Sequence, residues 1–263
     1  MGKIFGILSL KGGVGKTSSV VALGDAMSSL GKKILLVDGN FSAPNLGLHL
    51  NVVDPETTIH HVLSRQINPS DAIHKLEGFD LIPASIFSNF KFNPLDLKDK
   101  MKTLKRRYDA IIIDSSPALN EETLAVMLAS DELVIVTTPD LPSLSTTIKA
   151  VKMARNRDTP IAGIIINKAH NQNFELSIKE IEESAGVPVL AIIPYDVNVQ
   201  KSQAEFIPST SYIPNSESSR EYRKLAGVLI GEKYRPFSLR ELFRIPPTRE
   251  EINREIYYRR YFG

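Results

Sequence analysis

The nine residues at positions 9–17 constrain the fold more strongly than any other part of this sequence. They read Ser-Leu-Lys-Gly-Gly-Val-Gly-Lys-Thr and begin at the end of the strand-like run IFGILSL (4–10). A glycine-rich loop between a strand and a helix aims backbone N–H groups from a helix N-terminus at a phosphate. The segment therefore predicts a nucleotide-binding α/β domain.

Within this phosphate-binding loop, the residue types suggest separate roles. The glycines let the backbone wrap around phosphates, the Lys16 ammonium reaches the β- and γ-phosphates, and the Thr17 hydroxyl binds magnesium. The usual pattern has a glycine where this chain has Leu10, and Lys11 adds a second cation. The predicted phosphate-binding residues are Gly12, Gly13, Val14, Gly15, Lys16, Thr17 and Ser18.

Apolar, β-branched runs alternate with helical patterns along the rest of the chain. Continuous apolar strands are typical of a parallel sheet that is covered on both faces. We therefore predict an α/β fold with a doubly wound, mostly parallel sheet and helices on both faces. The predicted strands lie at 4–10, 33–38, 79–84, 109–115, 132–138, 161–167 and 187–194, and further helices lie near 121–129, 143–155 and 174–185.

Composition and charge limit the classes of protein that fit. None of the 263 residues is cysteine, which excludes disulfides, cysteine-bound zinc and cysteine-held iron–sulfur clusters. No apolar run approaches the ~20 residues that span a bilayer, so we expect a cytoplasmic protein. Residues 233–263 carry eight basic and four acidic residues, a net charge of +4, which leaves −2 for residues 1–232. We predict a P-loop nucleotide-binding domain at 1–232 and a basic tail at 233–263.

The segment Lys-Gly-Gly-Val-Gly-Lys-Thr (11–17) resembles the deviant Walker A motif of the MinD/ParA ATPases. The resemblance covers about residues 3–232. Within it, the stretch 174–196 is more similar to MinD-like members than to plasmid ParA proteins. The resemblance implies a P-loop NTPase of the SIMIBI type that uses ATP/ADP and Mg²⁺, hydrolyses ATP, and forms an ATP-dependent homodimer. In this family the early lysine, here Lys11, crosses the dimer interface to the partner's phosphates, where a cation neutralises transition-state charge.

Three later segments resemble family motifs in the same order. The segment 109–144 resembles the Walker B strand and switch, and it places Asp114 where it can hold magnesium-bound water. IIINK (164–168) resembles the strand end that contacts adenine, through the carboxamide of Asn167. IIPYD (192–196) resembles the loop on the other side of the base, which assigns Pro194 and Asp196 to nucleotide binding.

One departure from the family pattern concerns catalysis. The family has Asp-x-Asp after the second strand, and here Asp38 is followed by Asn40. Asp38 can support the magnesium shell, but the Asn40 amide has no negative charge and no basicity. Because a general base contributes ~10²–10⁴-fold, the resemblance implies slowed hydrolysis. Two outcomes stay open: an ATP latch, or slow turnover in which Asn40, helped by Asn45, positions the water.

The basic tail suggests a binding function. FSLRELFRI (237–245) and the segment 248–263 combine arginines with aromatic residues, which suits an interfacial helix on anionic lipid. A dimer would present two such helices and bind by avidity. Packing of the tail on a partner protein or on its own core is the alternative, because 252–262 lacks a clean apolar stripe. We therefore expect a cytoplasmic protein. If the tail binds lipid, we expect it to attach the protein to the inner face of the cell membrane.

The leading interpretation is a MinD-like switch that positions a division, motility or polar assembly, with a regulatory protein acting at the dimer surface. A ParA-type partition ATPase that binds DNA is less favoured, because residues 1–232 are net acidic. A hydrolysis-deficient scaffold is the third interpretation. The segment 201–210 departs from relatives and is expected to affect only a partner surface. The five histidines, expected to be structural or on the surface, are His49, His60, His61, His74 and His170.

Overall fold

A computed structural model describes residues 2–88 and 90–231 of this chain. The predicted tail, 233–263, lies outside the described residues, and so does residue 232. The described part forms an eight-stranded sheet in the order β3-β4-β2-β5-β1-β6-β7-β8. The strands are β1 Lys3–Leu8, β2 Ile34–Gly39, β3 His74–Lys75, β4 Asp80–Ile82, β5 Ala110–Ser115, β6 Glu132–Thr137, β7 Ile161–Ala169 and β8 Val189–Pro194.

Helices cover both faces of this sheet. Two short 3-10 helices, Pro69–Ala72 and Pro94–Asp96, lie in the connections. The α-helices are α1 Lys16–Ser29, α2 Leu46–His49, α3 Ile59–Leu63, α4 Leu97–Leu104, α5 Glu121–Ala129, α6 Leu141–Arg155, α7 Ile178–Ala185, α8 Val197–Ala204, α9 Ser209–Tyr212 and α10 Glu217–Leu229.

The continuous apolar strands bury both of their faces. Along β1, Ile4 and Leu8 belong to one buried cluster, whereas Phe5 and Ile7 belong to the cluster on the opposite face. Side chains of a strand alternate between the two sides of a sheet, so an unbroken apolar run needs helices on both sides. The predicted doubly wound architecture is confirmed.

The order of the central strands brings separate sequence motifs together. Strand β1 lies between β5 and β6, and β5 also pairs with β2, all in parallel. In the β2–β5 register Asp38 lies opposite Asp114, and in the β1–β5 register Ile7 lies opposite Asp114. Because the carboxyl ends of parallel strands meet at one edge, both carboxylates lie beside the loop that follows β1.

All seven predicted strands are present, and their ends differ from the predicted ones by at most two residues. The antiparallel strand β3 was not predicted, because its two residues carry no apolar pattern. The helix predicted at 174–185 begins only at Ile178, since Ser177 caps it in a capping box with Glu180.

Candidate nucleotide site

The loop after β1 closes onto helix α1 through a left-handed glycine. Gly15 is the N-cap of α1, with φ 88° and ψ 27°. A Cβ atom at this position would overlap the amide of Asn167, so both the backbone conformation and the close approach require glycine. The Asn167 amide in turn donates a hydrogen bond to the Val14 carbonyl over 2.8 Å. The loop is thereby fixed to the end of β7.

Three side chains meet where the loop approaches β5. Lys16 is 7% exposed, and its ammonium forms an ion pair with the Oδ1 atom of Asp114, which is 1% exposed. The Thr17 hydroxyl donates to Asp114 Oδ2 over 2.6 Å. A threonine hydroxyl beside a carboxylate offers oxygen ligands of the kind that Mg²⁺ prefers. The structure thus brings together the residues predicted to bind phosphate and metal, and they fit a magnesium ion.

Asp38 lies beneath the loop that follows β2. It is fully buried, and its Oδ1 atom accepts the backbone N–H of Asn40 over 3.0 Å. Its Oδ2 atom accepts the N–H groups of Asn45 and Leu46 over 3.1 Å and 3.0 Å. Burial, with a further contribution from Asp114, raises the pKa of Asp38 to about 7. The side chain therefore organises this loop, and any part in the magnesium shell would be indirect.

The two asparagines of this loop share one acceptor. The Asn40 carboxamide donates to the Ala43 carbonyl, and the Asn45 carboxamide donates to the same oxygen over 3.0 Å. Both amide N–H₂ groups thus hold the turn between β2 and α2. An aspartate at position 40 could not donate this bond.

Lys11 is held away from the other cation of its loop. Its ammonium donates to Asp140 Oδ1 over 3.0 Å and to the Ser143 hydroxyl over 2.7 Å, both at the start of α6. Partial burial acts to raise the pKa of Asp140, but hydrogen bonds from Thr138, the Ser143 amide and Lys11 lower it to about 2. The ion pair is therefore fully charged at neutral pH.

The far end of the site is built from the ends of β7 and β8. Asn167 is 7% exposed, and the Lys168 ammonium donates to the Gly13 carbonyl over 2.7 Å. Pro194 ends β8. The Asp196 carboxylate caps α8 by accepting the Asn198 N–H over 2.9 Å, and it also accepts the Ser218 hydroxyl over 2.8 Å. These residues border one end of the cavity, and the Lys16 region borders the other.

A single open cavity of about 320 Å³ joins the predicted site residues Gly12, Gly13, Val14, Gly15, Lys16, Thr17, Ser18, Lys11, Asn40, Asn167, Pro194 and Asp196. Asp38 and Asp114 lie behind its wall. Among residues 2–88 and 90–231, no cluster of three His, Asp or Glu side chains could hold a metal by itself.

The sequence analysis does not predict the contributions of His49 and of the segment 201–210 to the site. His49, expected to be structural or on the surface, lines the cavity beside Asn40 and Asn45. The segment 201–210, expected to affect only a partner surface, contributes Gln203, whose side chain donates to Ser18 Oγ over 2.6 Å. Both residues reach the site through tertiary packing, and neither belongs to a nucleotide-binding sequence motif.

A glycine loop between β1 and α1, with a buried lysine, a threonine hydroxyl and an aspartate on the neighbouring strand, defines a P-loop nucleotide-binding protein. The family described as an AAA domain matches residues 2–161, and that of the NUBPL iron-transfer P-loop NTPases matches residues 100–230. The chain belongs to the MinD/ParA family of P-loop ATPases, which bind a nucleotide and Mg²⁺.

Relatives and solved structures of this family cover most of the chain. An uncharacterised ATP-binding protein of Methanocaldococcus jannaschii is 33% identical over 231 residues, 87% of this chain and 88% of its own length. The septum site-determining protein MinD of Thermotoga maritima is 30% identical over 88% of this chain and 89% of its own length. MinD of Pyrococcus horikoshii, solved with Mg-ADP, superimposes with a TM-score of 0.82 at 31% identity, over 87% of this chain and 96% of that one.

Within the described residues, no helix combines the length and apolar character needed to cross a bilayer.

Proposed function

We propose that this chain is a MinD-like switch, which binds Mg-ATP, closes into a dimer around two nucleotides and is reset by hydrolysis. The observation that carries the proposal is the position of Lys11. Lys11 belongs to the phosphate loop, yet its ammonium pairs with Asp140, whereas Lys16 pairs with Asp114. The Lys11 side chain is 37% exposed and lines the cavity, which supports a role in which its ammonium contacts the phosphates of a second subunit.

The base end of the cavity supports a preference for adenine. The Asn167 amide nitrogen is bonded to the Val14 carbonyl, which orients the carboxamide oxygen as the acceptor for a base. This oxygen can accept a hydrogen bond from the exocyclic amine of adenine. Guanine has a carbonyl oxygen at the same position, and two acceptors repel each other. Pro194 and Asp196 border the same part of the cavity and would flank the base.

The loop after β2 supports slow hydrolysis. Asn40 has no basic oxygen, and its amide nitrogen is already bonded to Ala43. A positioned general base contributes ~10²–10⁴-fold, so replacing the carboxylate with an amide slows the chemical step without preventing ATP binding. The dimer would then persist for longer than one with a carboxylate at this position.

The relatives and the charge of the chain support a cellular role in positioning. MinD of Thermotoga maritima is a septum site-determining protein, and we infer an analogous positioning role here, in division, motility or another polar assembly. The +4 charge of residues 233–263 favours attachment to anionic lipid or to an acidic partner protein when two tails act together. A regulatory protein would act at the dimer surface. The −2 charge of residues 1–232 disfavours DNA as the main partner.

The test compares two lysines that lie at opposite ends of β1. Sedimentation velocity with Mg-ATP is measured for the wild type, Lys11→Ala and Lys3→Ala. Lys3 pairs with Glu132 over 2.7 Å and is 38% exposed, so it matches Lys11 in pairing and exposure. We expect a dimer for the wild type and Lys3→Ala, and a monomer with near-normal ATP affinity for Lys11→Ala. A dimer that survives Lys11→Ala contradicts the proposal.

Attachment to membranes is tested on the full chain. Flotation with vesicles that contain 30% phosphatidylserine is compared for the wild type and for Arg259→Glu/Arg260→Glu. We expect ATP-dependent flotation that the double substitution reduces at least ~10-fold, since each basic residue near an anionic surface contributes ~1 kcal/mol. Equal flotation of both proteins, or flotation without ATP, argues against a lipid-binding tail.

A further inference from the structure

His49 lies in the nucleotide cavity and has no role in the site described so far. It is the last residue of α2, and its backbone N–H donates to the Asn45 carbonyl over 3.1 Å. Its partly buried side chain lines the cavity together with Lys16, Asn40 and Asn45. This is the phosphate end, opposite the end bordered by Pro194 and Asp196.

The other polar groups at this end cannot accept a proton. Lys11 and Lys16 are ion-paired ammonium groups, and the amides of Asn40 and Asn45 have no basicity. The Asp114 carboxylate binds Lys16 and Thr17, and it lies behind the cavity wall. Asp38 also lies behind the wall, with both oxygens on backbone N–H groups. Among the described residues that line the phosphate end, the His49 imidazole is the one base with a usable lone pair.

The surroundings of His49 favour its neutral form. Burial lowers its pKa, Asp114 on β5 acts to raise it, and Lys16 on α1 lowers it further. Of the two elements packed against α2, α1 also carries Asp25, and β2 carries Asp38. A neutral imidazole can both accept a proton from water and form a hydrogen bond to it.

We propose that His49 supplies the proton acceptor that Asn40 lacks, by holding the water that attacks the γ-phosphate of ATP. The water oxygen bonds to the γ-phosphorus as the bond from that phosphorus to the β–γ bridging oxygen breaks. The water proton passes to an imidazole nitrogen, and the products are ADP and inorganic phosphate. The imidazolium then releases its proton to solvent. This inference rests on the proposed ATPase function and assigns a residue to its chemical step.

The test is single-turnover hydrolysis of ATP by the wild type, His49→Ala, His49→Gln and His74→Ala. His74 is bonded to Thr57 outside the cavity and serves as the matched control. We expect His49→Ala and His49→Gln to hydrolyse at least ~10²-fold more slowly, with ATP affinity and dimer fraction changed less than twofold. His74→Ala should match the wild type. Unchanged rates in both His49 variants overturn the proposal.

Chemical rescue separates a proton acceptor from a structural residue. Free imidazole at 50–200 mM should raise the rate of His49→Ala at least ~10-fold and leave the wild type and His74→Ala unchanged, because it restores the lost base. A slow His49→Ala that imidazole does not rescue overturns the proposal in favour of a structural role.

A carboxylate at position 40 supplies an independent check. In an Asn40→Asp background, His49→Ala should lower the rate less than about threefold, since both groups serve one step and their effects are not additive. A full ~10²-fold loss in that background overturns the proposal. A wild type that hydrolyses ATP at the same rate as both His49 variants overturns the His49 proposal alone, whereas failure to bind ATP overturns the proposed function itself.

Discussion

Lys11 Nζ donates to Asp140 Oδ1 over 3.0 Å, and the same carboxylate oxygen accepts the N–H of Ser143 and caps helix α6. The phosphate loop and the helix after β6 are therefore joined by one acidic residue within a single chain. In the proposed dimer the Lys11 ammonium contacts the partner's nucleotide, so it must leave Asp140 first. Dimerisation then includes the free energy of breaking this ion pair.

Substitution of Asp140 by asparagine should strengthen the dimer. The amide oxygen keeps the helix cap, while the charge that retains Lys11 is lost. Both subunits break this ion pair on dimerisation, and a pair with this exposure is worth about 0.2–1 kcal/mol. The dimer dissociation constant with Mg-ATP should therefore fall by about 2- to 30-fold, as measured by sedimentation equilibrium. Asp158→Asn, an exposed aspartate outside the cavity, is the control. Weaker dimerisation of Asp140→Asn would contradict this account of Lys11.

Substitution of Asn40 by aspartate should accelerate hydrolysis. A carboxylate restores a basic group beside the phosphates, and we expect at least a ~10-fold faster release of phosphate in a burst assay. The same change removes one of the two hydrogen bonds to the Ala43 carbonyl, which costs about 0.5–1.5 kcal/mol in unfolding free energy. Urea unfolding measures this cost. A rate equal to that of the wild type would show that position 40 does not limit turnover.

Substitution of Asn167 by alanine should weaken ATP binding and remove base selectivity. The variant leaves the Val14 carbonyl without its side-chain donor, which costs about 1–3 kcal/mol, and it loses the acceptor proposed for adenine. Isothermal titration should show at least ~10-fold weaker ATP binding and a smaller difference between ATP and GTP. Asn156→Ala, at the exposed end of α6, should bind both nucleotides like the wild type. A variant with unchanged selectivity would place the base elsewhere.

Tyr222 should make the fold sensitive to alkaline pH. It is 2% exposed and hydrogen-bonded to Ser19 Oγ over 2.8 Å; burial, opposed by this bond, raises its pKa to about 12. The unfolded tyrosine ionises near pH 10, so the stability present below pH 10 is lost as pH rises through 12. The Tyr222→Phe variant has no hydroxyl to ionise at this position. Between pH 10 and 12 its unfolding free energy should therefore fall by about 2–3 kcal/mol less than that of the wild type. Urea unfolding at several pH values, with Tyr212→Phe as the control, measures the difference, and parallel curves would contradict it.

The sequence predicted the parts of the site that depend on local chain geometry. Gly15, Lys16 and Thr17 lie in one strand–loop–helix unit, whose backbone creates the phosphate site wherever it occurs. Asp114 was predictable because it ends an apolar strand, and such ends meet at one edge of a parallel sheet. The strands were predictable from their continuous apolar runs, and β1 buries apolar side chains on both faces of the sheet, as such a run requires.

The rest of the site depends on distances between elements that are far apart in sequence. Lys11 and Asp140 are 129 positions apart, and Ser18 and Gln203 are 185 apart, so no local pattern reports either contact. His49 is the last residue of the four-residue helix α2, and no sequence motif surrounds it. Strand β3 was missed because pairing with β4 creates it, and its own residues do not favour it.

The most direct test of the proposed switch is to identify the nucleotide that the protein retains after incubation with Mg-ATP and separation by size. We expect a dimer that elutes with intact ATP and converts it slowly to ADP, while Lys11→Ala elutes as a monomer. A monomer that retains no nucleotide and releases no phosphate would contradict the proposed function, because the loop at 9–17 would then not form a nucleotide site.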